Sequence, residues 1–300
     1  MAWEQYISDF KTFLKLERSL SDNSIEAYIR DIRKLFDYLQ MADKTPEPGE
    51  IQKTHLTGFI VFLNELGLSA RSQARIISGL KAFFRYLLLE DIISFDPAAL
   101  IEAPKMGRKL PEVLSVEEID RLLAVIDLSK PEGQRNKAII ETLYSCGLRV
   151  SELINLNISN LYLNEGFIRV TGKGDKERLV PIGRQAIKEI NLYLHDRDHI
   201  THIDRESEDI LFLNRRGKKL TRVMIFTLVK NFAQMAGLKK NISPHTFRHS
   251  FATHLIDGGA DLRAVQEMLG HESILTTEIY THLDREYLRD AIIRFHPRSG

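Results

Sequence analysis

One cysteine, Cys146, and one tryptophan, Trp3, stand among 300 residues. A lone thiol closes no internal disulfide, so packing must hold the fold, and a reducing cytoplasm is the expected setting. No apolar run approaches the roughly 20 residues of a bilayer span, so no transmembrane helix is expected. The opening Met-Ala-Trp-Glu-Gln-Tyr lacks a basic stretch followed by an apolar one, the mark of a secretory signal. A Gly-x-x-x-x-Gly-Lys-Ser/Thr loop is missing too, and with it the usual cradle for a nucleoside triphosphate. Excess charge is almost absent: 42 Lys and Arg oppose 41 Asp and Glu, for a net +1. Taken alone, that balance argues against a nucleic-acid partner.

The distribution of charge argues the other way. Residues 211–240 carry eight basic side chains and no acidic one: Arg215, Arg216, Lys218, Lys219, Arg222, Lys230, Lys239 and Lys240. Such a block attracts a polyanion even when distant acids cancel the sum; a solvated basic surface is the alternative. At 43% hydrophobic and 28% charged residues, the chain has the make-up of a globular protein, and its length exceeds what one core usually serves.

The first hundred residues read as four helices, near 3–18, 23–40, 51–66 and 69–90, with apolar residues recurring at helical spacing. On the polar side of the fourth, Arg71 and Arg75 lie four apart, as do Lys81 and Arg85, so each pair shares a face that can neutralise phosphates. Three prolines between Asp96 and Pro111 then interrupt the pattern. This gives a helical domain over 1–102, a linker over 103–112 and a second domain over 113–300. Ser115-x-x-Glu118 is a capping box that opens the second domain. Further helices are expected near 134–146, 149–156, 184–195, 221–236, 245–257, 261–269 and 274–281. Residues 167–171 and 178–182 read as two strands around a glycine-containing turn. The fold class is mainly α with a small antiparallel β-sheet.

Four phrases carry chemistry. Arg149 stands in Cys146-Gly147-Leu148-Arg149-Val150-Ser151-Glu152, and Lys173 in Gly172-Lys173-Gly174. His245 and Arg248 stand in Ser243-Pro244-His245-Thr246-Phe247-Arg248-His249, and Leu269-Gly270-His271 precedes Tyr280 by nine residues. Displacement at a phosphodiester needs a nucleophile, neutralised non-bridging oxygens and a proton for the departing oxygen. Arginine suits the second task because its planar fork stays charged and donates two hydrogen bonds at once. Ser243 before Pro244 marks a helix start, placing His245 and Arg248, three apart, in the first turn beside free backbone amides. Lys173, on a turn between glycines, is the candidate general acid, with Lys176 and Arg178 as nearby alternatives. His245 and His271 can exchange protons near neutral pH, Glu152 buttresses, and Tyr280 is the candidate nucleophile. His245 and His249 have the spacing of a helical zinc pair but lack the glutamate of His-Glu-x-x-His, and Arg248 lies between them, so no metal and no cofactor are expected.

These phrases, in this order, resemble the tyrosine recombinases, and among them the Xer subgroup, over the whole chain. The resemblance implies a C-shaped clamp of a helical core-DNA-binding domain and a catalytic domain closing on double-stranded DNA. It further implies a 3′-phosphotyrosyl intermediate, exchange of strands in a homo- or hetero-tetramer on two duplexes, and resolution of chromosome dimers at cell division. A XerC-type partner recombinase and a DNA translocase as regulator are implied in the same way. Two enzyme alternatives share the active site: a phage- or transposon-type integrase and a type IB topoisomerase. A non-enzymatic DNA-binding regulator is the third, because residues 254–269 resemble a helix-turn-helix phrase. In the tail, Leu288, Ile292, Ile293 and Phe295 offer apolar anchors, either for a neighbouring subunit or for the tail's own domain.

Overall fold

The computed structural model describes residues 2–41, 45–104, 112–172, 176–270 and 282–299. The chain folds as two compact units, Met1–Lys109 and Leu110–Gly300. The first holds α1 (Ala2–Leu16), α2 (Asp22–Leu39), a 3-10 turn at Pro48–Glu50, α3 (Lys53–Glu65) and α4 (Ala70–Leu89). Apolar residues three and four apart form one buried stripe per helix: Phe10 and Leu14 in α1, Ile25, Ile32 and Leu35 in α2, Ile76, Leu80, Phe83 and Leu87 in α4. Aromatic rings dominate this core. Phe83 meets Phe10 edge-on at 5.3 Å and Trp3 at 6.0 Å, and the Trp3 indole donates to the Pro46 carbonyl at 2.9 Å, so its one polar atom is satisfied. The third helix starts two residues later than its apolar pattern suggests. Pro48 and Gly49 form the 3-10 turn, closed by the Glu47 amide on the Glu50 carboxylate at 3.0 Å, and Ile51 is extended.

The second unit contains α5 (Val116–Ala124), α6 (Gly133–Cys146), α7 (Val150–Ile154), α8 (Arg184–Asp198), α9 (Arg222–Met235), α10 (Pro244–Gly258), α11 (Leu262–Leu269) and α12 (His282–Phe295). Ser115 and Glu118 cap α5 reciprocally, at 2.8 and 3.3 Å. β1 (Leu161–Tyr162), β2 (Phe167–Thr171) and β3 (Glu177–Pro181) form an antiparallel sheet in that order, with Val170 opposite Arg178 and Ile168 opposite Val180. β1 is a strand the sequence pattern does not reveal, because two residues are too few to show alternation. Helix α6 is the axis of the unit: Ala138, Ile139, Ile140, Leu143 and Tyr144 are all fully buried, and α8 and α10 pack against it. The expected helix at 274–281 lies outside the described residues.

The C-terminal anchors pack on their own domain. Leu288 and Ile292 join its core, Phe295 lies against it, and Ile293 alone of the four is half exposed. Beyond α12, the His296 ring sits 4.8 Å from Tyr144 and 5.5 Å from Phe251, and Arg298 pairs with Asp120. Burial first, then the neighbouring His254, pushes the His296 imidazole down to about 3, so it is held neutral as part of the core.

Gly147 ends α6 with a left-handed φ of 57°. A Cβ there would lie 2.5 Å from the Phe251 ring, so both the backbone and the space demand glycine. Gly147→Ala is therefore expected to lower unfolding free energy by roughly 2–4 kcal/mol, combining left-handed strain with overpacking. Urea denaturation followed by circular dichroism checks this; a loss below about 0.5 kcal/mol would contradict the steric argument.

Candidate active site

Just past Gly147, Leu148 is buried and Arg149 turns extended to cap α7. Glu152, one turn on, folds back to it. Its Oε2 accepts the Arg149 backbone amide at 2.8 Å and its Oε1 accepts the Arg149 guanidinium at 2.9 Å. A second arginine reaches the same carboxylate from β3: Arg178 donates through both terminal nitrogens, at 2.7 and 3.0 Å. Glu152 is 3% exposed and Arg178 8%. Burial works to raise the Glu152 carboxyl, but the hydrogen bonds and charge of Arg178, and then Arg149, outweigh it and hold the group below its usual range. The Arg178 Nε also donates to the Met268 carbonyl at 2.9 Å, so all three of its nitrogens are engaged and the side chain serves to hold Glu152.

Arg248 enters from α10, whose start is fixed by Pro244 and by the Ser243 amide on the Thr246 hydroxyl at 3.0 Å. Its guanidinium donates to the Gly147 carbonyl at 2.8 Å and to the Leu269 carbonyl. Burial, followed by repulsion from Arg149, lowers its pKa to about 10, so it stays charged at neutral pH while surrounded by like charge. His245 does not follow it inward. Arg248 is drawn under the domain surface by those carbonyls, whereas His245 is exposed. Partial burial, then the charges of Arg248, His249 and Arg149, push the His245 imidazole below its usual range, which makes it a neutral group beside two guanidiniums.

The C terminus of α11 ties these pieces together. Its last three carbonyls accept one arginine each: Met268 from Arg178, Leu269 from Arg248, and Gly270 from Arg149 at 3.1 Å. These are the unpaired carbonyls of a helix end, where the macrodipole favours cations. Gly270 has a left-handed φ of 63°, and a Cβ on it would press within 3.1–3.3 Å of the Arg178 side chain, which explains a glycine directly before His271. At the root of the β2–β3 turn, the Gly172 amide closes on the Lys176 carbonyl at 2.8 Å, and the Gly172 Cα faces Glu152 and Arg178. The structure therefore brings Arg149, Glu152, Arg248 and His245 together and adds Arg178. Lys173, His271 and Tyr280 lie outside the described residues.

The basic block forms a tight hairpin. Leu213 bridges Lys219, the Asn214 amide donates to the Lys218 carbonyl at 2.8 Å, and Asn214 Oδ1 accepts the amides of Arg216 and Lys218. Arg215, Arg216, Lys218 and Lys219 are exposed on it, with Lys218 paired to Asp204 at 3.3 Å. The hairpin leads into α9, where Thr221 caps and Arg222 is the exposed first residue. In the first unit Arg71 and Arg85 are exposed, Lys81 lies near the Ala99 carbonyl at 3.4 Å, and Arg75 pairs with Asp31. No group of three or more His, Cys, Asp and Glu suited to a metal occurs among the described residues.

Residues 112–286 match the Phage integrase family, and residues 7–91 match the Phage integrase, N-terminal SAM-like domain. The chain thus belongs to the phage integrase family of tyrosine recombinases. It is 44% identical to Tyrosine recombinase XerD of Listeria monocytogenes serotype 4b, over 98% of this chain and 99% of that protein. Against Tyrosine recombinase XerD of Chlorobaculum tepidum it is 45% identical, over 99% of this chain and 98% of the other. Among solved structures it is similar to XerH site-specific recombinase bound to palindromic difH substrate in a post-cleavage complex. That likeness has a TM-score of 0.71 at 29% identity, covering 96% of this chain and 84% of the other.

Replacing Glu152 by Gln should cost about 3–5 kcal/mol of unfolding free energy at pH 7, since two arginines lose their shared carboxylate. Because the folded pKa lies below the ordinary 4.5, this stabilisation is complete above pH 4.5 and disappears as pH falls through the folded value. The gap between wild-type and Glu152→Gln denaturation curves should accordingly narrow as pH falls below 4.5. A gap that stays constant down to pH 3 would show that the carboxylate's charge is not what holds the arginines.

Proposed function

We propose that this protein is a site-specific DNA recombinase that cuts and rejoins strands through a 3′-phosphotyrosyl intermediate at Tyr280. The observation that carries this reading is the pair Arg149 and Arg248, each anchored through its two terminal nitrogens to neighbouring carbonyls or to Glu152, with N–H donors left over for a phosphate. Attack by the Tyr280 oxygen forms the phosphotyrosyl ester and breaks the bond to the 5′ oxygen, which takes a proton from Lys173. Neutral His245, with His271, hydrogen-bonds the phosphate and manages the tyrosine proton. The ester conserves the bond energy, so rejoining requires only the reverse attack by a 5′ hydroxyl.

Residues 1–102 act as the core-DNA-binding domain through Arg71, Arg75, Lys81 and Arg85. The hairpin of Arg215, Arg216, Lys218 and Lys219, with Arg222, supplies further DNA contacts in the second domain. The relatives named XerD support a role in resolving chromosome dimers during segregation; work in the cytoplasm, by a tetramer on two recombination sites, belongs to the same reading. A XerC-type second recombinase and a DNA translocase as regulator complete that reading. No helix among the described residues is long and apolar enough to cross a membrane.

Tyr280→Phe should keep duplex affinity but form no covalent complex with a nicked suicide substrate on denaturing electrophoresis. A DNA-linked band from this variant would reassign the nucleophile. Arg149→Ala should slow cleavage by roughly 10²–10³. Lys173→Ala should be slow on normal DNA but recover when sulfur replaces the scissile 5′ oxygen, since a thiolate leaves unprotonated. If sulfur rescues Arg149→Ala equally well, Lys173 is not the acid.

A further inference from the structure

The first unit contains a buried carboxylate that its own stability does not explain. Asp31 on α2 is 0% exposed, yet its Oδ1 has no hydrogen-bond partner. Among the described residues its one ion pair, through Oδ2, is with Arg75 on α4, whose side chain is 46% exposed, and Lys34 and Arg30 add weaker charge attraction. Burying a carboxylate with one oxygen unsatisfied costs more than a single half-exposed partner returns, and an apolar residue would pack there more cheaply. The close crossing of the two helices maintains the arrangement. A Cβ on Gly79 would stand 3.3 Å from Asp31 and from Tyr28, so α4 carries a glycine where α2 presses Asp31 against it.

What Asp31 provides is a fixed guanidinium. The pair engages Nη1, while no partner of Arg75 Nε or Nη2 occurs among the described residues. Arg71 and Arg85 share the exposed stripe of α4 with Arg75 and have no such restraint. A swinging arginine suits phosphates, which are spread along the backbone and carry no sequence information. An arginine clamped at one nitrogen, presenting its other edge in one plane, suits the O6 and N7 acceptors of guanine, which require fixed bidentate geometry.

Resting on the reading of this unit as a DNA-binding domain, we propose that Asp31 is a positioning residue. By its geometry, it makes Arg75 a sequence-reading arginine directed at a guanine edge, while Arg71 and Arg85 bind phosphates.

The full chain, its Asp31→Asn, Arg75→Lys and Arg71→Ala variants, and a randomised duplex pool decide the matter through selection and sequencing. Affinity for one fixed unselected duplex is measured alongside. Wild type should recover a motif with at least one guanine whose preference falls about tenfold or more in both Asp31→Asn and Arg75→Lys, at the same position. Arg71→Ala should weaken all sequences alike. Affinity of Asp31→Asn for the unselected duplex should change less than about twofold. A guanine preference unchanged in Asp31→Asn, or a uniform loss at every position, overturns the proposal. Should Asp31→Asn fail to fold by thermal melting, Arg75→Lys decides alone: loss at one position supports the assignment and uniform weakening overturns it. If wild type binds the duplexes but no position responds to Arg75→Lys, the positioning role falls and the DNA-binding reading survives. If wild type binds no duplex at all, both fall.

Discussion

Three arginines resting on three successive carbonyls at the end of α11 are the contact on which the catalytic unit depends. They arrive from different places: Arg149 from the start of α7, Arg178 from β3 and Arg248 from α10. Met268, Leu269 and Gly270 take one arginine each and so gather the three at one helix end, against the repulsion of like charge. A helix C terminus is the one piece of backbone that offers several unpaired carbonyls and a favourable dipole at once. One buried carboxylate, Glu152, completes the arrangement by neutralising a single charge of the three. The cluster therefore keeps a positive excess, and Arg248 is lowered to about 10 by burial first and by the charge of Arg149 second. Such a cluster is suited to an anion with several acceptor oxygens, as the proposed scissile phosphate has.

The same contact fixes one end of the segment that carries Tyr280. Gly270 is held by Arg149 on one side of residues 271–281, and α12 follows on the other, buried through Leu288 and Ile292. Past α12, His296 is lodged neutral among Tyr144 and Phe251, which ties the tail to α6 and α10. Residues 271–281 thus lie in sequence between elements that pack into the same core.

Much of this was legible in the sequence, and the limits have physical causes. Helices with a continuous apolar stripe, such as α4, announce themselves, and Gly147 and Ser115 mark their boundaries through backbone chemistry that acts within a few residues. Arg149 and Glu152 are likewise local, three apart. Arg178 is not: its carboxylate partner lies 26 residues away and its carbonyl partner 90. From the sequence it stands out only as a cation near Lys173, with nothing to show that it is buried on Glu152. The opposite inward and outward courses of Arg248 and His245 also escape a helical-face argument, since distant carbonyls, not spacing, draw the arginine in.

Pairing also divides the cations that composition alone treats as equivalent. Arg178 has both edges committed and serves structure. Arg149 and Arg248 are held by part of each guanidinium and retain donors for a ligand. The exposed arginines of the 214–219 hairpin lie at the other extreme, with Arg215 80% exposed and only 3.9 Å from Glu132, a separation worth little in water. A phosphate backbone can be met by such unrestrained charges because their exact placement matters little, whereas an in-line displacement at one phosphorus cannot. The energetic difference lies in when the ordering entropy is lost. The folded core fixes Arg149 and Arg248 in advance of any ligand, whereas exposed arginines would be ordered only on binding. A near-zero net charge is compatible with this division, since what sets each arginine's task is the number of its donors already engaged.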